Sequence, residues 1–207
     1  MDQTMKKDPI EEMQERNRQA FASQFSRLTD GRSVEDKRIH ISIPTPKRWL
    51  IEGFQKFVSD FEWQPEYEEV AEWLRDNKGK GLLCMGNCGR GKTVITQRII
   101  PILLRFYHGL VVNTITANDL NEHYDEIKQY KIIGIDDVGT ESESVKYGER
   151  HVYFNEIVDL AERKDKLLIL STNLDGDEIK ERYGARTADR LRGLTTQIIF
   201  PGESLRR

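Results

Sequence analysis

Gly81-Leu-Leu-Cys-Met-Gly86-Asn-Cys-Gly-Arg-Gly91-Lys92-Thr93 decides how this chain folds. Leu82 to Met85 run without polar alternation, the pattern of a short strand covered on both faces. From Gly86 the sequence fits G-x-x-x-x-G-K-[ST] at every position. Glycines in such a loop let successive backbone N–H groups converge on phosphate oxygens with no Cβ in the way. A helix predicted from about Lys92 to Tyr107, kinked at Pro101, adds the positive end of its dipole. Gly86, Asn87, Cys88, Gly89, Arg90 and Gly91 are therefore expected to cradle phosphates. Lys92 is expected to reach the β- and γ-phosphates, and Thr93 to hold Mg²⁺.

Downstream, Ile132-Ile-Gly-Ile-Asp136-Asp137 is an apolar strand ending in two carboxylates. After a P-loop, that pattern assigns Asp136 to the metal, through water, and Asp137 to the attacking water as orienter or base. A further apolar strand ends in polar residues, Leu167-Leu-Ile-Leu-Ser171-Thr172-Asn173. Asn173 is read as the side chain between the acids and the γ-phosphate. The remaining elements are a helix over Tyr67–Arg75, a strand over Leu110–Thr116, and a helix over Ala117–Tyr130 capped by Thr116 or Asn118. A helix over Gly148–Lys164 and a strand-like stretch over Gln197–Phe200 complete them. Apolar strands alternating with helices predict an α/β fold with a parallel sheet flanked by helices. Gly134 inside a strand calls for a close approach by a neighbouring element.

The 207 residues are 37% hydrophobic and 32% charged, which excludes a disordered chain. The longest apolar stretch, Ile99 to Leu104, falls far short of the ~20 residues of a membrane-spanning helix. The N-terminus lacks the apolar core of a signal peptide. Cys84 and Cys88 are the only cysteines, so no disulfide framework is possible and a reducing, cytoplasmic setting is expected. The four histidines have no metal-ligand spacing with them. A net charge of -3 excludes a global pull toward nucleic acid, yet Asp60–Asp76 holds seven acids against one base, and Glu178–Arg207 seven bases against four acids. Phe54, Phe57, Phe61 and Trp63 read as a hydrophobic lead-in to the core. Glu141, Glu143 and Glu149 read as a polar loop, with Lys146 and Arg150 its only bases.

Asp8 to Leu28 carries Ile10, Met13, Phe21, Phe25 and Leu28 at helical spacing, one amphipathic helix that either packs on the main domain or docks on a partner. Ile39–Ile43, ended by Pro44-Thr-Pro46, reads as an extended linker, and places a boundary between an N-terminal helical extension, 1–46, and a main domain, 47–207.

With Tyr183-Gly-Ala-Arg186-Thr-Ala-Asp-Arg190-Leu191 and Phe200-Pro-Gly-Glu-Ser204-Leu205-Arg206 added to the P-loop, acid pair and Ser-Thr-Asn strand, the chain from about Trp63 onward resembles the DnaC/DnaI/IstB family of AAA+ ATPases. The resemblance implies ATP and Mg²⁺ as ligands and weak, assembly-dependent hydrolysis. It also makes Arg190 an arginine finger toward a neighbouring subunit and Arg206 a sensor-like arginine at the nucleotide. Its acid pair ends in Asp137 where AAA+ proteins commonly carry Glu, although the DnaI and IstB branches resemble this, and Leu205 stands where the family frequently has a tyrosine. Only 34 residues follow Asn173, too few for a full helical lid of about four ~10-residue helices, so a truncated lid is expected. The function implied is loading of a replicative hexameric helicase, gripped by the N-terminal segment, onto single-stranded DNA, with self-assembly in ATP. An IstB-like transposition helper on duplex DNA, and a nucleotide-switched interaction protein with negligible turnover, are the alternatives.

Overall fold

The computed structural model describes Gln19 and residues 37–205 except 143, 147 and 148, with the side chains of 143–151 also outside the description. The chain divides into two units, 1–37 and 38–207, and the architecture is that of the second. The helix read over Asp8–Leu28, the side chains of Glu143, Lys146, Glu149 and Arg150, and Arg206 all lie outside the described residues. No helix among the described residues is long and apolar enough to cross a membrane.

Five strands, β1 (Gly81–Gly86), β2 (Asn113–Thr116), β3 (Ile132–Val138), β6 (Leu167–Thr172) and β7 (Thr195–Phe200), pair in the order β2-β3-β6-β1-β7. All four pairings are parallel. The α/β reading therefore holds: a parallel sheet flanked by helices. A separate antiparallel hairpin joins β4 (Ser144–Lys146) to β5 (Glu149–His151).

Side chains alternate across a strand, so Leu82 and Cys84 enter one core and Leu83 and Met85 the other. The first core receives α1 (Pro46–Phe57), α2 (Glu66–Arg75) and the helix after the P-loop. The second receives α4 (Leu120–Ile127), α5 (Tyr153–Lys164), α6 (Gly176–Tyr183) and α7 (Ala185–Leu194). Double coverage is why these strands read as continuous apolar runs.

The helix after the P-loop, α3, runs as Lys92–Val94, a π-helical turn over Ile95–Ile99, and Ile100–His108. Pro101 has no N–H and its ring collides with the carbonyl four residues back, so the turn before it widens. The predicted kink is a π-turn. Gly134 is explained by a strand, since a Cβ there would come 2.9 Å from Thr114 Cγ2 on β2.

Three expectations change. Ile39–Ile43 is part of the main unit: Ile41 and Ile43 are 1% exposed in the first core, and Pro46 starts α1 instead of ending a linker. The compact unit thus begins at Arg38, ahead of the boundary read at Pro46. The helix read from Gly148 begins at Tyr153, where the apolar spacing of Tyr153, Phe154, Ile157, Val158 and Ala161 begins, and 149–151 form β5. β2 is shorter than Leu110–Thr116, and a 3₁₀ turn, Ala117–Asp119, precedes α4 with no side-chain cap.

One side chain holds the Ile39–Ile43 segment. Asn77 is 1% exposed; its Oδ1 accepts the Ile41 N–H at 2.8 Å, and its Nδ2 donates to the Ile39 and Lys80 carbonyls, both at 2.9 Å. Asn77→Ala strands these buried groups without partners and should cost about 2–4 kcal/mol of unfolding free energy, read as a lowered urea midpoint with an unchanged slope.

Candidate functional site

The parallel sheet brings the C-terminal ends of β1, β3 and β6 together, which places the loop 86–91, Asp136, Asp137 and Asn173 along one edge of that sheet. A cavity of about 680 Å³ opens there. Cys88, Gly89, Gly91, Lys92, Thr93, Asp137 and Asn173 line it on the polar side, and Phe54, Phe61 and Tyr67 on the aromatic side. Its size suits a nucleotide-scale ligand.

Gly86, Gly89 and Gly91 all have positive φ, the conformation that turns the loop back on itself. Lys92 Nζ lies within the loop, donating to the Gly86 and Asn87 carbonyls at 2.8 Å each and to Asn173 Oδ1 at 3.0 Å. Burial pushes its ammonium below the usual lysine range, while Cys88, Asp137, Cys84 and Asp136 pull the other way. A phosphate bound in the cradle offers this half-desolvated cation a stronger partner than carbonyl oxygens do.

Thr93 Oγ1 donates to Asp136 Oδ1 at 3.2 Å, so a hydroxyl and a carboxylate oxygen meet beside the loop. These hard oxygen donors suit Mg²⁺ with waters retained. No cluster of His, Cys, Asp and Glu among the described residues offers a competing metal site.

Asp136 and Asp137 are adjacent, and a regular strand would send them to opposite faces. β3 shifts register on β6 between Ile135 and Val138, and Asp137 takes φ 53°. Ser171, opposite the shift, donates through Oγ to Asp136 Oδ1 and accepts the Asp137 N–H at 3.0 Å. The bulge turns Asp137 toward the cavity while Asp136 stays buried next to Thr93.

Both predicted arginines among the described residues have side chains engaged elsewhere. Arg90 turns away from the cavity and makes a buried ion pair with Glu66 of α2, Nε–Oε1 3.0 Å and Nη2–Oε1 2.5 Å, with further bonds to Gln64 and the Glu203 carbonyl. Only its backbone is left for the phosphate cradle. Arg190 on α7 is 17% exposed and pairs with Asp159 and Glu162 of α5, so it points into its own subunit. Arg186, one turn earlier, is 75% exposed and 3.7 Å from Asp159. Cys88 is exposed on the loop, and Cys84 is a buried strand residue whose thiol burial pushes far up.

Sequence reading missed three contributors. Ser171 belongs to the Ser-Thr-Asn strand end, but that pattern gives it no role beside the acid pair. Phe54, Phe61 and Tyr67 stack at 4.6–6.0 Å, so the predicted lead-in is also a wall of the cavity. Tyr67 donates to the Arg90 carbonyl at 3.1 Å, and its phenol is pushed up to about 12 by burial first and Glu66 second, with Arg90 opposing. The segment after β7 crosses the loop: Asn87 Nδ2 donates to the Gly202 carbonyl at 2.9 Å, and Leu205 N–H to the Gly89 carbonyl at 3.1 Å. A Cβ on Gly89 would lie 2.1 Å from Ser204 Oγ, so this contact requires glycine.

No protein-family model matches the chain, and no curated protein matches it at a significant level. Its structure is similar to that of DnaI, 20% identical over 79% of this chain and 86% of that one, with a TM-score of 0.50. It is similar to the DnaC helicase loader, 17% identical over 77% and 93% of the two chains, TM-score 0.50. Domain III of the Thermotoga maritima replication initiation protein DnaA is 19% identical over 77% and 69%, TM-score 0.51. The fold, a five-stranded parallel sheet flanked by helices, is shared with the DnaI, DnaC and DnaA domain III structures.

Arg90→Ala leaves the Glu66 carboxylate buried without its countercharge and should cost about 3–5 kcal/mol of stability. Replacing the pair together, Arg90→Met with Glu66→Leu, should recover most of that loss in a urea titration.

Proposed function

We propose that this protein binds and hydrolyses ATP and that it loads a replicative hexameric helicase onto single-stranded DNA. The observation that carries the nucleotide reading is the convergence of Lys92, Asp137 and Asn173 on one cavity at the C-terminal ends of a parallel sheet. Support for the helicase step comes from the fold shared with a structure described as a DnaC helicase loader, and from the amphipathic pattern of Asp8–Leu28 as a docking helix.

In this reading the backbone N–H groups of 86–91 hold the phosphates, and Lys92 exchanges its carbonyl partners for β- and γ-oxygens. Thr93 and, through water, Asp136 would hold Mg²⁺, which when bound would supply charge neutralisation at the phosphates. Asp137 orients the attacking water and takes its proton, and Asn173 fixes that water from the other side. The water oxygen bonds to the γ-phosphorus as the bond from that phosphorus to the β,γ-bridging oxygen breaks, giving ADP and inorganic phosphate. The aromatic wall of Phe54, Phe61 and Tyr67 gives the base an apolar face. Arg206 is proposed as a nucleotide-sensing arginine.

A trans-acting role for Arg190 requires it to leave both Asp159 and Glu162, whereas Arg186 on the same helix is already outward. Arg186→Ala should leave the melting temperature unchanged and lower concentration-dependent ATPase. Arg190→Ala should lower both.

The test of function is capture of a replicative helicase by wild-type protein, by Lys92→Ala, and by a form lacking residues 1–43, with ATP and single-stranded DNA present. Capture by the wild type that is lost without residues 1–43 is expected, with Lys92→Ala failing to release helicase productively. No helicase capture, together with tight duplex binding in ATP, would establish the transposition-helper alternative. Capture without measurable turnover would establish the nucleotide switch.

A further inference from the structure

The turn after the acid pair is held by a residue that the nucleotide reading does not use. Beyond Asp137, the Thr140 N–H and Oγ1 both donate back to the Asp137 carbonyl, at 3.1 and 2.8 Å. Glu141, 5% exposed, then folds its carboxylate into the turn. Its Oε2 accepts the Gly139 N–H at 2.9 Å, and its Oε1 accepts the Tyr183 hydroxyl and lies 3.7 Å from Arg182 Nε. The Glu141 carbonyl accepts from Arg182 Nη2 at 2.5 Å. Asn121 Nδ2 fixes the next carbonyl, that of Ser142, at 2.9 Å.

Burying a carboxylate is costly unless its oxygens are matched by donors. Both oxygens of Glu141 have them, one from the acid turn and one from the end of α6. Tyr183 is the last residue of α6, and after Gly184 α7 begins, carrying the outward Arg186 and the inward Arg190. Tyr183 is itself 5% exposed, its ring tilted against Phe154 at 4.7 Å, and its carbonyl accepts from Asn155 Nδ2 at 3.3 Å. The phenol is pushed well above its usual range, by burial first and by the bond to Glu141 second, so it remains a donor at working pH. Asp137, meanwhile, holds φ 53°, a left-handed conformation that non-glycine residues populate sparsely.

We propose that Glu141 is a positioning residue for Asp137 and that its bond to Tyr183 ties the acid turn to the α6–α7 junction, so that a neighbouring subunit pressing on α7 changes the aim of Asp137. The proposal rests on the reading of Asp137 as the water-orienting acid. It gives assembly a second route to the chemistry besides an arginine reaching across the interface. The route runs inside one subunit, from Arg186 through the α6–α7 junction and Tyr183 to Glu141, Gly139 and Asp137.

Tyr183→Phe removes the hydroxyl and keeps the ring in its core position. Single-turnover ATP hydrolysis by the assembled protein should fall about ten- to a hundredfold, while the Kd for a fluorescent ATP analogue stays within about twofold. In an Asp137→Asn background the same change should cost nothing further, because the tether acts only through that carboxylate. An unchanged rate overturns the proposal. So does an equal loss in the Asp137→Asn background, or a loss of rate matched by loss of nucleotide affinity, which marks a merely structural role. A readout independent of turnover separates this idea from the ATPase reading: hydrogen exchange of the Gly139 amide, bonded to Glu141, should speed up in both Tyr183→Phe and Glu141→Gln. Should wild-type protein bind ATP without hydrolysing it, the ATPase reading fails and the exchange data alone decide the tether. Unaltered exchange overturns it.

Discussion

Two neighbouring aspartates must serve one cavity from a strand whose geometry sends neighbours to opposite faces. Ser171 resolves this. One hydroxyl on β6 donates to the Asp136 carboxylate and accepts the Asp137 N–H, and so stabilises the extra residue that β3 inserts between Ile135 and Val138. A bulge re-aims side chains at a small loss of ladder hydrogen bonding. Here it keeps Asp136 next to Thr93 and swings Asp137 to the cavity wall. The left-handed backbone at Asp137, the hydrogen-bonded turn after it and the buried Glu141 all follow from that one departure from strand geometry.

The phosphate loop is fixed from outside by comparable means. A flexible glycine-rich loop would lose conformational entropy on binding a ligand. The Glu66–Arg90 pair, the Tyr67 hydroxyl and the segment 202–205 hold this one in shape beforehand. Lys92, bonded to two carbonyls of the loop and to Asn173 beyond β6, completes the preorganisation. The consequence is an arginine that matches a phosphate-binding motif position by sequence while its charge is spent on structure.

Much of this was legible in the chain. The P-loop, the apolar strands and the acid pair are local patterns, and each falls where its spacing places it, on strand ends of one parallel sheet. What could not be read depends on pairs distant in sequence. Arg90 finds Glu66, Arg190 finds Asp159 and Glu162, and Asn77 finds Ile39 and Ile41, each through tertiary packing that no window of residues contains. The π-turn before Pro101 and the hairpin at 144–151 were hidden differently, since proline and short β-rich runs each permit several local outcomes.

The account turns on Asp137 acting on water and not on the nucleotide itself. The most direct measurement compares wild-type protein with Asp137→Asn, following fluorescent-ATP binding and phosphate release together at a protein concentration that allows assembly. The account predicts affinities within about twofold and a turnover lowered by about 10²-fold or more in the variant, the range expected for loss of a general base. Equal turnover in the two proteins would contradict it.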